Sequence, residues 1–179
     1  MYFKNQGVEN TENTIKLAVD TAKKRGIKYI VVASHEGDTA KLLKNCGLNI
    51  VVITHAFGHK ILGENEMRED VKKELQSFGF KVYTSSHVLS GAERAISIKF
   101  GGVSPVEIVA YTLRMFGQGT KVAVEISTMA LDAGLVPFDE DIIAIGGSGK
   151  GADTAVIIRP ANAMDIFNTR IKEIICKPL

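Results

Sequence analysis

The chain has 179 residues, 45% of them hydrophobic and 23% charged, with a formal net charge of +2 at pH 7. This fits one globular domain over 1–179 with a sizeable core, and so small a charge gives no argument for nucleic acid or a membrane surface as partner. No apolar run approaches the roughly 20 residues that span a bilayer, and the first residues, MYFKNQGVEN, carry no apolar signal core, so a cytoplasmic protein is expected. With only Cys46 and Cys176, a disulfide scaffold is not expected and a cysteine-built zinc cage is excluded by count.

Asn10 or Thr11 can cap a helix running through Ile15, Leu17, Ala18, Val19 and Ala22 to Gly26. The β-branched run over 27–34 predicts a strand buried on both faces. A short helix is predicted over 37–47, a second buried strand over 48–55, an amphipathic helix over 66–79 and a more exposed strand over 80–86. Two more helices follow over 90–102 and 104–117, the second with Ser104 as cap and Pro105 in the first turn, where its missing N–H costs nothing. KVAVEIS (121–127) predicts a fourth strand, followed by a short helix over 127–134. Strands over 141–147 and 153–160 flank a glycine loop; a helical turn over 164–170 and a last strand over 171–177 close the chain. Strands alternating with helices imply a parallel sheet covered on both faces, and the late strand-loop-strand implies antiparallel additions.

The glycine loop reads GGSGKGADTA from Gly146. It is not a P-loop: Ala144 stands where that pattern needs glycine, and Gly151 where it needs a hydroxyl. It fits a dinucleotide fingerprint only formally, because β-branched TAVIIRP follows instead of a helix. A glycine turn between strands can still form a nest of backbone N–H groups for an anion. Lys150 would add charge, and Ser148 and Thr154 hydroxyls; the competing reading is a hairpin turn without a ligand.

Ligands of open α/β sheets bind outside the carboxyl ends of the strands. After the first strand come Ser34, His35, Glu36, Gly37, Asp38 and Thr39; after the second Thr54, His55 and Phe57; after the third His87; and at the fourth Glu125, Ser127 and Thr128. The helix opened by Gly37-Asp38-Thr39 offers free N–H groups to an anion, although the same residues can simply cap it. Arg94 and Arg159 can reach a phosphate or belong to ordinary surface. His55 and His59 stand four apart, but Gly58 between them reads as loop and no His-Glu-x-x-His pattern accompanies them, so no metal site is expected. Cys46, before Gly47, reads as packing.

Two stretches together resemble the C-terminal α/β domain of pyruvate kinase: TENTIKLAVDTAKKRGIKYIVVASHEGDTAKLLKNCGLNIVVITH and IIAIGGSGKGADTAVIIRPA. The whole chain is similar to stand-alone proteins of that superfamily. The resemblance implies a three-layer α/β/α sandwich with a mostly parallel sheet, order 3-2-1-4-5 and strand 5 antiparallel, the first and fourth strands side by side. In allosteric pyruvate kinases the two matching loops form the fructose 1,6-bisphosphate effector site. By resemblance, Ser34, Gly37, Asp38 and Thr39 take a phosphate and Gly147, Ser148, Gly149, Lys150 and Gly151 close over the ligand, with Glu125 to Thr128 meeting them. Flavin mononucleotide (FMN) is a ligand associated with the stand-alone group, and the cofactor that the resemblance implies.

The chain departs from the kinase domain in ways that favour one phosphate and a flat ring. Asp38 would repel a second phosphate, and the longer stretches 57–66 and 85–104 can wall a ring. The expected function is binding a phosphate-bearing small molecule, FMN first, without pyruvate kinase activity, whose barrel takes about 250 residues. The alternatives are a flavin-dependent or phosphate-substrate enzyme using Glu125, His35 or His87 as acid or base, and a regulatory module that binds another protein. Self-association into a homo-oligomer is kept open.

Overall fold

A computed structural model describes residues 1–179. A two-residue strand β1 (Tyr2–Phe3) leads through a 3-10 turn to α1 (Thr11–Arg25), which ends at Gly26 in the left-handed conformation (φ 68°). The alternating segments that follow are β2 (Tyr29–Ala33), the single turn α2 (Asp38–Lys41), β3 (Asn49–Ile53), α3 (Glu69–Ser77) and β4 (Lys81–Tyr83). Three helices come next: α4 (Ala92–Phe100), α5 (Pro105–Arg114) and α6 (Gln118–Asp132). The chain closes with β5 (Ile142–Gly146), β6 (Thr154–Arg159) and β7 (Arg170–Pro178).

All seven strands form one mixed sheet in the order β1-β7-β6-β5-β2-β3-β4. Its β4-β3-β2-β5 part is parallel, β6 runs antiparallel to both β5 and β7, and β1 adds to β7 in parallel. The expected five-strand order lies inside it, extended by β7 and β1. The chain builds outward from β2 through β3 to β4, then returns to place β5 on the other side of β2. The register there is Ile30 to Ile143, Val31 to Ala144 and Val32 to Ile145.

Side chains alternate across the sheet, and both faces are buried. Ile30, Val32, Ile143, Ile145 and Ile157 share one cluster with Ile15, Ala18 and Ala22 of α1, Leu43 and Leu75. Val31, Val51, Ala144, Val156 and Ile158 share the other with Ala123, Ile126, Met129 and Ala130 of α6. Cys46 packs at the margin of the first cluster, as read from its position. In contrast, α4 and α5 leave Ile98, Phe100, Ile108 and Tyr111 exposed, as is Met115 just after α5.

One expected element is overturned. Residues 121–127 are not a strand but the middle of α6, and the separate helix expected over 127–134 is its continuation. Two glycines let this helix lie directly on the strand ends. A Cβ at Gly119 would stand 2.1 Å from Thr154 Oγ1, and one at Gly146 would stand 2.4 Å from the Gly119 carbonyl oxygen. Twelve residues of α6 are buried, from Gly119 to Thr128 almost continuously and on to Leu131. Among them Lys121 and Glu125 pair one helical turn apart, each side chain 5% exposed. Glu125 also accepts the Leu89 N–H at 3.0 Å, which ties the loop before α4 to the helix.

At the opposite end of the sheet from the glycine loop, Asp141 accepts from Arg159 Nε at 2.8 Å and from Lys172 Nζ at 2.7 Å. Arg159 also meets Asp139 at 3.0 Å, so it is not the phosphate ligand that its sequence allowed. Because β6 is antiparallel, its last residue lies far from the carboxyl ends of β2 and β5.

Two outcomes follow from these ion pairs. Burial alone would raise the Asp141 carboxyl, but the bonds from Lys172 and Arg159 outweigh it and hold the pKa below the ordinary value. A carboxylate depressed on folding stabilises above its unfolded pKa, and that contribution fades as pH falls through the folded value. Asp141→Asn should therefore cost about 0.5–1 kcal/mol near neutrality, the range of partly exposed pairs, and the gap to wild type should close in acid; unfolding in urea at stepped pH measures it. Buried Lys121 and Glu125 behave differently. Lys121→Met or Glu125→Leu alone strands a buried charge and should cost about 3–5 kcal/mol. The double variant should recover part of that loss, short of the roughly 1–3 kcal/mol for the unpaired Leu89 N–H, in a double-mutant cycle read by denaturant unfolding.

Candidate functional site

Adjacent β2 and β5 deliver two loops to the same place, residues 34–39 and 147–151. Between them opens a cavity of about 510 Å³. Of the residues expected at the site, Ser34, His35, Glu36, Asp38, Thr39, His55, Gly147, Gly149, Lys150 and Gly151 line it. The remaining wall comes from positions the sequence did not mark: Val8, Thr11 and Glu12 before and at the start of α1, Ala33 at the end of β2, Leu42 after α2, and Gln118 and Val122 at the start of α6. The two loops face each other across the opening, where Lys150 Nζ stands 3.9 Å from a Glu36 carboxylate oxygen.

The first loop turns sharply at Gly37 (φ 98°), where a Cβ would stand 2.5 Å from Val71 Cγ1. The buried Ser34 hydroxyl accepts the Ala40 N–H at 3.4 Å, and Thr39 is buried at the cavity wall. The N–H groups of Gly37, Asp38 and Thr39 have no acceptor within the chain, as expected at the start of a helical turn.

The second loop is fastened by Asp153, a fully buried carboxylate. It accepts N–H bonds from Gly7 at 3.1 Å and from Ser148 at 3.2 Å, and the Thr154 hydroxyl at 2.8 Å. Thr11 Oγ1 accepts the Ala152 N–H at 3.0 Å and donates to Val8 O at 2.7 Å. Part of the expected nest is therefore filled by the protein's own carboxylate: Ser148 spends its amide on Asp153. The amides of Gly149, Lys150 and Gly151 keep no partner within the chain.

Other expected residues lie elsewhere. Thr54 does not line the cavity; its hydroxyl lies 2.6 Å from that of Thr84. Phe57 is exposed and does not line the cavity. Glu125 and Thr128 belong to the interior of α6 rather than to a strand end, so neither reaches the cavity. Glu125 is committed to Lys121 and Leu89, which removes it as an acid or base for a bound molecule. Arg94 lies on α4 and does not line the cavity either.

His35 and His55 line the cavity with rings stacked at 4.7 Å. Burial, and then the His55 ring, push His35 below the ordinary imidazole value. Burial also lowers His87, against the pull of Glu125. Burial would raise Glu66, but the hydrogen bond from His55 outweighs it and holds that carboxyl low.

The chain is similar to known proteins. A pyruvate kinase from Cryptosporidium parvum matches at 17% identity over 84% of this chain and 22% of its own, with a TM-score of 0.44. The Cryptosporidium parvum pyruvate kinase in complex with ADP matches at 17% identity over 84% of this chain and 23% of its own, with a TM-score of 0.45. The chain thus spans less than a quarter of these kinases. The family model described as the pyruvate kinase alpha/beta domain matches residues 12–158, from the first turn of α1 almost to the end of β6. The chain belongs to the pyruvate kinase alpha/beta domain family.

Proposed function

We propose that the cavity between the two loops binds a small molecule with a single phosphate, FMN being the ligand that suits it. The observation that carries this reading is the meeting of Lys150 and two sets of unpaired backbone amides, 37–39 and 149–151, at one cavity. Amide clusters of this kind favour an oxyanion. The volume lies within the roughly 300–1,000 Å³ usual for small-molecule sites. Asp38 lines the same wall and disfavours a second phosphate. Val8, Ala33, Leu42 and Val122 offer apolar contact for a ring, and the carboxylates of Glu12 and Glu36 offer acceptors for sugar-like hydroxyls.

An enzyme acting on the bound molecule is the second reading, favoured by the stacked His35 and His55 rings in the cavity wall. Glu125 and His87 drop out of that reading because neither lines the cavity.

Fluorescence titration with FMN and with riboflavin, which lacks the phosphate, tests the proposal. FMN should bind more tightly than riboflavin. Lys150→Ala should weaken FMN by roughly 10-fold, the lower end for a charge-assisted bond at an exposed lysine, and leave riboflavin unchanged. Equal affinity for both flavins, or none for either, would overturn the phosphate site. Reduction of bound FMN by NAD(P)H would favour the enzymatic reading.

A further inference from the structure

The four histidines of the chain, His35, His55, His59 and His87, come from loops after three neighbouring strands, β2, β3 and β4. The fold gathers all of them. His55 is the hub: its ring centroid is 4.7 Å from that of His35, 4.3 Å from His59 and 5.5 Å from His87. The loop after β3 then folds back, with Gly58 (φ 79°) donating its N–H to Glu64 O at 2.8 Å. That return brings Glu66 Oε1 to 2.7 Å from His55 Nδ1. The donor atoms of His55, His59 and Glu66 all lie within 4.8 Å of one another.

We propose that His55, His59 and Glu66 form a binding site for a borderline divalent transition-metal ion, with zinc as the type. Two imidazoles and one carboxylate are the protein donors of open mononuclear zinc centres, which leave the fourth position to water or a substrate. Imidazole donors suit zinc, copper, iron and nickel and disfavour magnesium and calcium, which require oxygen. The arrangement is not a packing solution for the core, because His55 is only half-buried and His59 is exposed. Metal bonds of roughly 2.0–2.2 Å put tetrahedral donors roughly 3.3–3.5 Å apart, so the ion has to draw His59 inward and part His55 Nδ1 from Glu66 Oε1, now 2.7 Å apart, displacing the proton between them. The exposed His59 side chain, on a loop with glycines at 58 and 63 in positive φ, can make the inward move. His55 also lines the large cavity, so the open position adjoins it. The helical i, i+4 spacing of His55 and His59 is not what joins them; a glycine turn does.

The test uses the full chain, stripped with a chelator and titrated with zinc chloride by calorimetry, with no small molecule present. It therefore stands or falls independently of the phosphate proposal. One equivalent should bind, and cobalt(II) in its place should give the intense visible absorption of a low-coordinate centre. His59→Ala and Glu66→Gln should each weaken zinc by at least the roughly 10–100-fold that even outer-shell losses cost. Lys60→Ala, in the same loop, should leave it unchanged. Thermal unfolding of the metal-free variants checks that they remain folded; the exposed His59 can be lost without touching the core, and glutamine at 66 keeps a polar partner for His55. Weak binding of many equivalents, or one equivalent insensitive to both substitutions, would overturn the site.

Discussion

The parallel pairing of β2 with β5 is the constraint on which everything at the carboxyl edge depends. The two strands are far apart in sequence, yet Ile30, Val31 and Val32 lie in register with Ile143, Ala144 and Ile145. Chain growth reverses direction across the sheet at this pair, and such a switch point leaves a crevice that neighbouring loops cannot both cover. Residues 34–39 and 147–151 reach the crevice because they end these two strands. The starts of α1 and α6 reach it from opposite faces, which explains why Thr11 and Gln118 line one cavity. The antiparallel β6 then carries Arg159 away to the far edge, where it serves Asp141.

Buried polar groups fix this arrangement. Asp153 is fully buried and joins the turn at Gly7, the glycine loop at Ser148 and its own neighbour Thr154. A carboxylate removed from water is tolerated only when hydrogen bonds replace its hydration. Those donors exist together only when the N-terminal segment, the loop and β6 are all in place. Lys121 and Glu125 do the same for α6 and the loop at Leu89. Such groups need not add net stability, since an apolar substitute of the same shape can match them. Their physical effect here is conditional: each alternative docking of the loop or helix leaves a charge without a partner.

The sheet was legible in the sequence where strands are buried on both faces. The β-branched runs over 27–34, 48–55, 141–147 and 153–160 contain β2, β3, β5 and β6. The failure at 121–127 has the same cause as these successes. Val122, Val124 and Ile126 alternate with other residues as in a strand, and α6 is buried nearly all round, so no polar stripe betrays a helical period. The usable signal was Lys121 with Glu125, because two charges four residues apart in an apolar run can pair in a helix but stand too far apart in a strand. The loops after β2 and β5 were legible as polar strand ends. The rest of the cavity wall was not, because Thr11, Glu12, Gln118 and Val122 read as ordinary first-turn residues until the topology brings them together. The histidine cluster was invisible for a related reason: it depends on the lateral order of β2, β3 and β4 and on a fold-back at Gly58.

The glycine loop shows how much of an apparent motif is packing. A Cβ at Gly147 would stand 2.4 Å from the Gly151 carbonyl oxygen, and one at Gly151 would stand 2.4 Å from Thr11 Oγ1 and 2.8 Å from Val8 Cα. Those two glycines, with Gly146 against α6, are required by close approach of backbone whether or not anything binds. Gly149 differs: its φ of 83° requires a residue tolerant of the left-handed region, but nothing lies within 4 Å of a Cβ there. Glycine content alone is therefore no measure of affinity for phosphate. What remains for a ligand is what packing leaves unused: the amides of Gly149, Lys150 and Gly151 and the Lys150 ammonium, facing the equally unused amides after β2. Ser148 has already given its amide to Asp153, so the amides this loop keeps unused are those of residues 149–151.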